Sequence, residues 1–203
     1  MKTTRRALIL IDLQYDFMPG GALAVARGDE VVAVANRLMQ AHELVVATQD
    51  WHPARHRSFA SQHEGEEVGD LIDLHGLPQV MWPDHCVQGT RGASLVEELD
   101  ARQIAAIFRK GMDPEIDSYS GFYDNGHRRS TGMAGYLREL GVEELDVMGL
   151  ATDYCVKYTV LDALKEGFKV NLVLEGCRGV GLGPEDIERA IEEMLAAGAN
   201  VLK

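Results

Sequence analysis

The chain has 203 residues, 20 basic and 32 acidic, for a formal charge of −12, and 46% of it is hydrophobic. That length suits one domain with a sizeable core, and the apolar fraction excludes a disordered chain. The acidic balance repels nucleic acid and anionic membrane surfaces, no apolar run approaches the roughly 18 residues of a membrane span, and three cysteines do not make a disulfide framework.

The basic start Met1-Lys2-Thr3-Thr4-Arg5-Arg6 precedes an apolar run, but Asp12 ends that run too early for a secretory signal. A soluble, cytoplasmic protein is therefore expected. In chain order, Val-, Ile- and Leu-rich runs at 7–11, 44–48, 104–108, 145–149 and 170–174, with a weaker one at 200–202, read as strands. None alternates polar with apolar residues, so the sequence predicts strands covered on both faces. Helical spacing appears between them. At 30–42, Val31, Val34, Ala35 and Leu38 share a face, and segments 133–140 and 155–166 end at Gly141 and Gly167, where a helix is often closed. A last helix is predicted from Pro184 to Ala197, with Glu185 and Asp186 in its first turn. Alternating strands and helices imply a mostly parallel six-stranded sheet in a three-layer α/β/α arrangement, as one domain over residues 1–203.

Two stretches interrupt this rhythm. Residues 51–92 hold five of the seven histidines and both tryptophans, and residues 110–131 contain Asp117-Ser118-Tyr119-Ser120-Gly121-Phe122-Tyr123. Long loops of this kind are usually functional, and both leave from the carboxyl ends of predicted strands, where open α/β sheets bind ligands. The same ends carry Asp12, Asp50, Lys110 and Cys155.

Cys155 follows Thr152 and Asp153, either of which could cap the next helix and put the thiol in its first turn. There the helix dipole favours thiolate and should lower the thiol pKa, and free backbone N–H groups could form an oxyanion hole. Asp12 and Lys110 would add a proton acceptor and a cation, a set suited to acyl transfer through a thioester. Each also has a plainer reading: Asp12 as a carboxylate capping Gln14 or Tyr15, Lys110 as a solvated turn residue. Cys86 and Cys177 read as buried small apolar residues. Asp50 and His52, two apart in extended chain, point the same way and could hold one metal with His85. Mixed oxygen and nitrogen donors suit Zn²⁺, Mn²⁺ or Fe²⁺, although an incidental pair of loop residues would look the same. His56, His63 and His75 read as surface residues, with His56 or Ser58 within reach of the metal. Gly176, Gly179, Gly181 and Gly183 lack the spacing of a phosphate-binding loop, and Glu185 and Asp186 would repel a phosphate there. They read as a flexible turn.

Taken together, Ile11-Asp12-Leu13-Gln14-Tyr15-Asp16-Phe17, Gln49-Asp50-Trp51-His52-Pro53, Trp82-Pro83-Asp84-His85-Cys86-Val87, Arg109-Lys110-Gly111, Tyr119-Ser120-Gly121-Phe122 and Gly149-Leu150-Ala151-Thr152-Asp153-Tyr154-Cys155-Val156 resemble the nicotinamidases (pyrazinamidases). These are cysteine hydrolases of the isochorismatase-like superfamily, with a Rossmann-like isochorismatase-like hydrolase fold. The blocks run from Ile11 to about Val180 in family order. The resemblance implies Cys155 as nucleophile, Asp12 as acid/base and Lys110 as third member of the triad. It implies a divalent metal on Asp50, His52 and His85, zinc before manganese or iron, binding the pyridine nitrogen, with Ser58, His56 or water alone at the fourth position. It places Phe17 and Trp82 beside the ring with Tyr119 nearby, makes 51–92 a metal-binding insertion, and implies a cis Leu150–Ala151 bond that aims the N–H groups of Ala151 and Cys155 at the oxyanion. Glu175, where relatives often carry Asp, and Arg91, where Pro is common, depart from the pattern away from the site. The activity implied is hydrolysis of nicotinamide to nicotinate and ammonia, in NAD salvage, with pyrazinamide as a second substrate. Another hydrolase of the superfamily, acting on a different small amide or a vinyl ether, and a non-catalytic small-ligand-binding domain are the alternatives. The sequence leaves a homodimer open.

Overall fold

The apolar runs become strands, and the computed structural model describes them within residues 5–202. Residues 1–4, which begin the basic N-terminal stretch, and residue 203 lie outside the described residues. The strands are β1 (Arg5–Ile11), β2 (Val45–Asp50), β3 (Leu71–Leu74), β4 (Leu77–Val80), β5 (Ala106–Lys110), β6 (Val142–Leu150), β7 (Lys169–Arg178) and β8 (Asn200–Leu202). The α-helices are α1 (Glu30–Met39), α2 (Met133–Glu139), α3 (Lys157–Lys165) and α4 (Asp186–Ala196).

Six strands form one parallel sheet in the order β5-β2-β1-β6-β7-β8. Its centre is β1, where Ala7, Leu8, Ile9, Leu10 and Ile11 are all fully buried. Each of the larger ones contributes roughly 1.5–3 kcal/mol by leaving water, which is why the most apolar run becomes the middle strand. From β1 the chain steps outward to β2 and β5, then returns to β6 and steps the other way to β7 and β8. Right-handed crossovers put the connections of the two halves on opposite faces of the sheet. The direction reverses between the neighbours β1 and β6, and the crevice beyond their carboxyl ends is the expected ligand site. Asp12 follows β1 there, and Cys155 follows β6.

Three expectations need correction. The third strand of the sheet is β5, shifted by two residues to end on Lys110, and it is an edge strand with alternating burial; Ile107 is 47% exposed. At the end of the sheet the covering layers thin out, so the run of apolar residues at 104–108 overstated its cover. The helix predicted from Cys155 starts earlier, as a π-helical turn over Thr152–Val156 that feeds α3. Residues 51–92, expected as one long loop, contain the antiparallel hairpin β3–β4. Its two-residue turn is His75-Gly76, both at positive φ (56° and 84°), the geometry that matches the twist of a tight hairpin.

Candidate active site

Lys110 is the middle of the site. It ends β5, is 2% exposed and places its ammonium among groups from four parts of the chain. Nζ donates to Asp50 Oδ1 at 2.5 Å, Ser118 O at 3.0 Å and Cys155 Sγ at 3.3 Å. It also pairs with Asp12 Oδ2 at 2.9 Å. Asp12 Oδ2 is buried against this ammonium, and Lys110 is the charge that faces it. The other oxygen, Oδ1, accepts from Thr48 Oγ1 at 2.6 Å, and the same hydroxyl accepts from Asp12 N at 3.2 Å. This clamp holds Asp12 at φ 52°, a backbone conformation uncommon outside glycine. Asp12 thus has one oxygen held by Thr48 and the other turned toward Lys110. Ligand atoms of Asp12, Asp50 and Cys155 lie within 4.8 Å of one another. Asp12 caps neither Gln14 nor Tyr15, and Lys110 is not solvated.

The electrostatics correct one expectation. Burial pushes the Cys155 thiol well above its ordinary range, and Asp12 and Asp50 add to this, outweighing Lys110 beside it. The position after β6 that puts Cys155 in a helical first turn also removes it from water, and desolvation wins over the dipole. Burial likewise raises the Asp12 carboxyl, against the pull of Lys110 and Thr48. Lys110, penalised by burial but flanked by Asp12 and Asp50, is held charged well above its usual range. Burial thus disfavours the charged forms of both Cys155 and Asp12, so each holds its proton more tightly than in water. Nor does Asp153 cap its own helix: its carboxylate accepts instead from Val180 N and Gly181 N, at 2.9 and 2.8 Å.

Beside the triad lies a second cluster. Asp50 Oδ2 is 3.6 Å from His52 Nε2 and 3.9 Å from His85 Nε2, all three residues buried. His52 Nδ1 donates to Gly111 O at 2.9 Å, and His85 Nδ1 donates to Pro83 O at 2.8 Å. Those bonds place each proton on Nδ1 and leave Nε2 as a lone pair facing the carboxylate, the arrangement of metal-binding histidines. His52 Nε2 is buried without a partner, as a ligand nitrogen would be. Gly111, at φ 63°, lets the chain pass this close: a Cβ there would run into the His52 ring. Gln14 fixes the backbone that carries the carboxylate, taking the N–H of Asp50 on Oε1 and donating Nε2 to Asp50 O, each at 2.8 Å. Against the effect of burial, the Lys110 ammonium keeps the Asp50 carboxyl well below its usual range. The residues present fit a divalent cation.

His56 is not a surface residue as the sequence suggested. It is fully buried, its ring centroid 4.4 Å from that of His52. Its Nδ1 accepts from Ser58 N at 3.2 Å and meets Ser58 Oγ at 2.7 Å. The proton therefore sits on Nε2, and the Ser58 hydroxyl is engaged. His63 is half-buried and bonds Arg57 O, while His75 is exposed and pairs with Glu115.

A narrow pocket opens between Cys155 and the histidine cluster, walled mostly by apolar and aromatic side chains with a few polar groups among them. Phe17, Trp82 and Tyr119 line it with Asp50, His85, Ala151 and Cys155, as do Leu23, Asp117, Tyr154 and Val180, which the sequence reading did not single out. The Tyr119 hydroxyl accepts from Trp82 Nε1 at 3.1 Å and Gln79 Nε2 at 3.2 Å, and Trp82 meets Tyr154 edge-on at 4.8 Å. Asp16 joins the two loops, accepting on Oδ2 from Cys86 N at 2.7 Å and so tying the Phe17 turn to the His85 segment. Thr48 was findable: it lies two residues before Asp50 on β2, hence on the same face. Gln79 and Asp16 act through tertiary contacts that no local pattern announces. The Leu150–Ala151 peptide is cis, in line with the resemblance.

Comparison with known proteins agrees with this geometry. The isochorismatase domain model matches residues 6–203. The nicotinamidase of Escherichia coli is 56% identical over 97% of this chain and 93% of its own length. Among solved structures, a nicotinamidase/pyrazinamidase of Acinetobacter baumanii superposes with a TM-score of 0.96 at 41% identity, covering 100% of this chain and 98% of that one. A pyrazinamidase of Pyrococcus horikoshii in complex with zinc superposes with a TM-score of 0.80 at 39% identity, covering 98% of this chain and 99% of that one. The parallel sheet, the residues gathered at its switch point and the match across nearly the whole length lead to one conclusion: the chain belongs to the isochorismatase domain family.

Proposed function

We propose that this protein is a metal-containing cysteine amidohydrolase that converts nicotinamide to nicotinate and ammonia and also accepts pyrazinamide. The observation that carries the reading is the buried contact of Lys110 with Asp12, Asp50 and Cys155 at the mouth of an aromatic pocket. The E. coli and A. baumanii relatives, named for nicotinamide and pyrazinamide hydrolysis, support the substrate.

The carboxamide lies over Cys155 with its ring between Phe17 and Trp82, near Tyr119. Asp12 Oδ2 takes the thiol proton as sulfur attacks the carbonyl carbon. The backbone N–H groups of Ala151 and Cys155 stabilise the oxyanion. Asp12 then gives its proton to the departing nitrogen, which leaves as ammonia, because an amide nitrogen leaves poorly unless protonated. Asp12 next takes a proton from water attacking the thioester and returns it to the Cys155 sulfur as nicotinate leaves. Lys110 stays charged throughout and keeps Asp12 and Sγ in register. Asp50, His52 and His85 would hold the metal, zinc by analogy with the P. horikoshii complex, and a bound divalent ion there supplies a Lewis acid for the ring nitrogen. His56, whose Nε2 is also buried without a partner, would lie beside the metal with His52 and Asp117. The enzyme works in the cytoplasm in NAD salvage, as one domain over residues 1–203 with 51–92 as its metal-bearing insertion. Among the described residues no helix is long and apolar enough to cross a membrane.

Ammonia release from nicotinamide, measured for the wild type and Cys155→Ala, tests the reading. Turnover by the wild type and its loss in the variant are expected; equal rates in the two would overturn the nucleophile, and no wild-type turnover would overturn the substrate.

A further inference from the structure

Asp153 stands two residues before Cys155 in the same π-helical turn and is 4% exposed, yet the proposed reaction gives it no part. Its carboxylate leaves the turn and takes two consecutive backbone N–H groups, Val180 N on Oδ1 at 2.9 Å and Gly181 N on Oδ2 at 2.8 Å. A buried carboxylate that spends both oxygens on one loop fixes that loop firmly, since bonds to an ionised acceptor are about twice as strong as neutral ones. The loop in question joins β7 to α4 and carries Val180, which lines the pocket.

The loop is shaped for this attachment. Gly179 lies against Ile187 of α4 and against Asp153 Oδ1, so that a Cβ there would collide with the Ile187 side chain. Gly181 sits at φ 62°, which turns the chain so that its N–H follows that of Val180 onto the same carboxylate. Gly183 N bonds Asp186 Oδ2 at 2.6 Å, anchoring the far end on α4. The glycines that look like a flexible turn in sequence are therefore the means by which a short segment closes over a carboxylate.

We propose that Asp153 is a positioning residue for the ring subsite: it registers Val180, one wall of the pocket, against the turn that carries the nucleophile. The distance between wall and sulfur then sets how large a ring can lie over Cys155. This rests on the pocket being the nicotinamide site. Asp153→Asn keeps the shape but replaces one acceptor with an N–H₂ that faces an N–H. The wall loosens, while Asp12, Lys110 and Cys155 keep their partners. Val180→Ala leaves the attachment intact and removes the wall itself.

The test compares kcat and KM for nicotinamide and for a ring-methylated nicotinamide in the wild type, Asp153→Asn and Val180→Ala. For Asp153→Asn, losing one charge-assisted bond should raise KM for nicotinamide roughly tenfold, with kcat within about threefold. The ratio of kcat/KM for the methylated ring to that for nicotinamide should rise in both variants. That ratio does not depend on the amount of folded enzyme, so mere destabilisation would leave it unmoved. A ratio unchanged in Asp153→Asn but raised in Val180→Ala overturns the role of Asp153, and a ratio unchanged in both overturns the wall. Hydrogen exchange of the wild type covers the case in which Asp153→Asn does not fold. The Val180 and Gly181 amides should be protected relative to Leu182, and equal exchange at all three overturns the attachment. Failure of the wild type to hydrolyse nicotinamide at all would count against the substrate assignment instead.

Discussion

Thr48→Val tests the positioning of the base with little change of shape. Valine fills the space of threonine but has no hydroxyl, and Thr48 is fully buried, so water does not readily replace it. Two bonds go, the 2.6 Å donation to Asp12 Oδ1 and the 3.2 Å acceptance from Asp12 N. A hydrogen bond to a charged group contributes about 1.5–3 kcal/mol, and a buried N–H left unpaired costs about 1–3 kcal/mol. Stability should therefore fall by about 3 kcal/mol, read as a lower urea midpoint with unchanged slope. The chemistry should change in a defined direction. Burial already raises the Asp12 carboxyl, and Thr48 is one of the groups opposing that rise. Without it the pKa climbs further, and Asp12 must be ionised to take the thiol proton. The acid limb of kcat/KM should move to higher pH. Activity at neutral pH should drop about 10- to 100-fold and recover partly as pH rises. A folded Thr48→Val enzyme with the wild-type acid limb and wild-type kcat/KM would refute the account of Asp12 as a clamped base.

Other expectations concern the metal cluster and the far end of the sheet. Dialysis against a strong chelator should abolish ammonia release, and one equivalent of zinc per chain should restore it; metal analysis should find about one ion in the wild type and none in His52→Ala. Gln14→Leu should weaken metal affinity about 10- to 100-fold, because outer partners of ligands typically matter by that much; an unchanged affinity by competitive titration would show that Gln14 does not orient Asp50. His42 Nε2 meets Asp146 Oδ2 at 2.9 Å with both side chains nearly buried. The bond to Asp146 raises the His42 pKa, and Asp146, though burial pushes it up, is held low chiefly by the bond from His42. A raised histidine stabilises the fold fully below its unfolded pKa of about 6.5 and loses that contribution as pH rises through the folded value. A lowered aspartate does so above about 3.9 and loses it as pH falls through the folded value. The pair should therefore contribute about 1–2 kcal/mol between roughly pH 4 and 6.5, and urea unfolding of His42→Gln should show that advantage gone in this window and little difference near pH 9.

The central strands were legible because burial on both faces leaves an uninterrupted apolar run, and β1 shows it most plainly. The edge strand β5 was misread for the same reason: Ile107 is apolar yet 47% exposed, and a sequence does not say which strand stands last. Strand order was not legible, since it depends on the reversal between β1 and β6. The chemical residues were findable as types at strand ends, and their family blocks gave each a role. What held them in place was less so. Gln14, Asp16, Thr48 and Gln79 act by bonds across 36 to 70 positions of sequence. Asp153 looked like a helix cap because aspartate before a helix usually is one, but the loop at Val180 offered it two N–H groups together. The thiol was expected to be acidic from its position in a helix turn; the sequence did not reveal that the turn is buried, and burial decides the direction.

The central claim is that Cys155 carries the acyl group. Acid quenching during turnover with nicotinamide, followed by peptide mass spectrometry, measures this directly. The account predicts a nicotinoyl thioester on Cys155, absent from Cys86 and Cys177, both also buried. Turnover with the nicotinoyl group on either of the other cysteines, or with sustained hydrolysis by an enzyme lacking the Cys155 thiol, would contradict it.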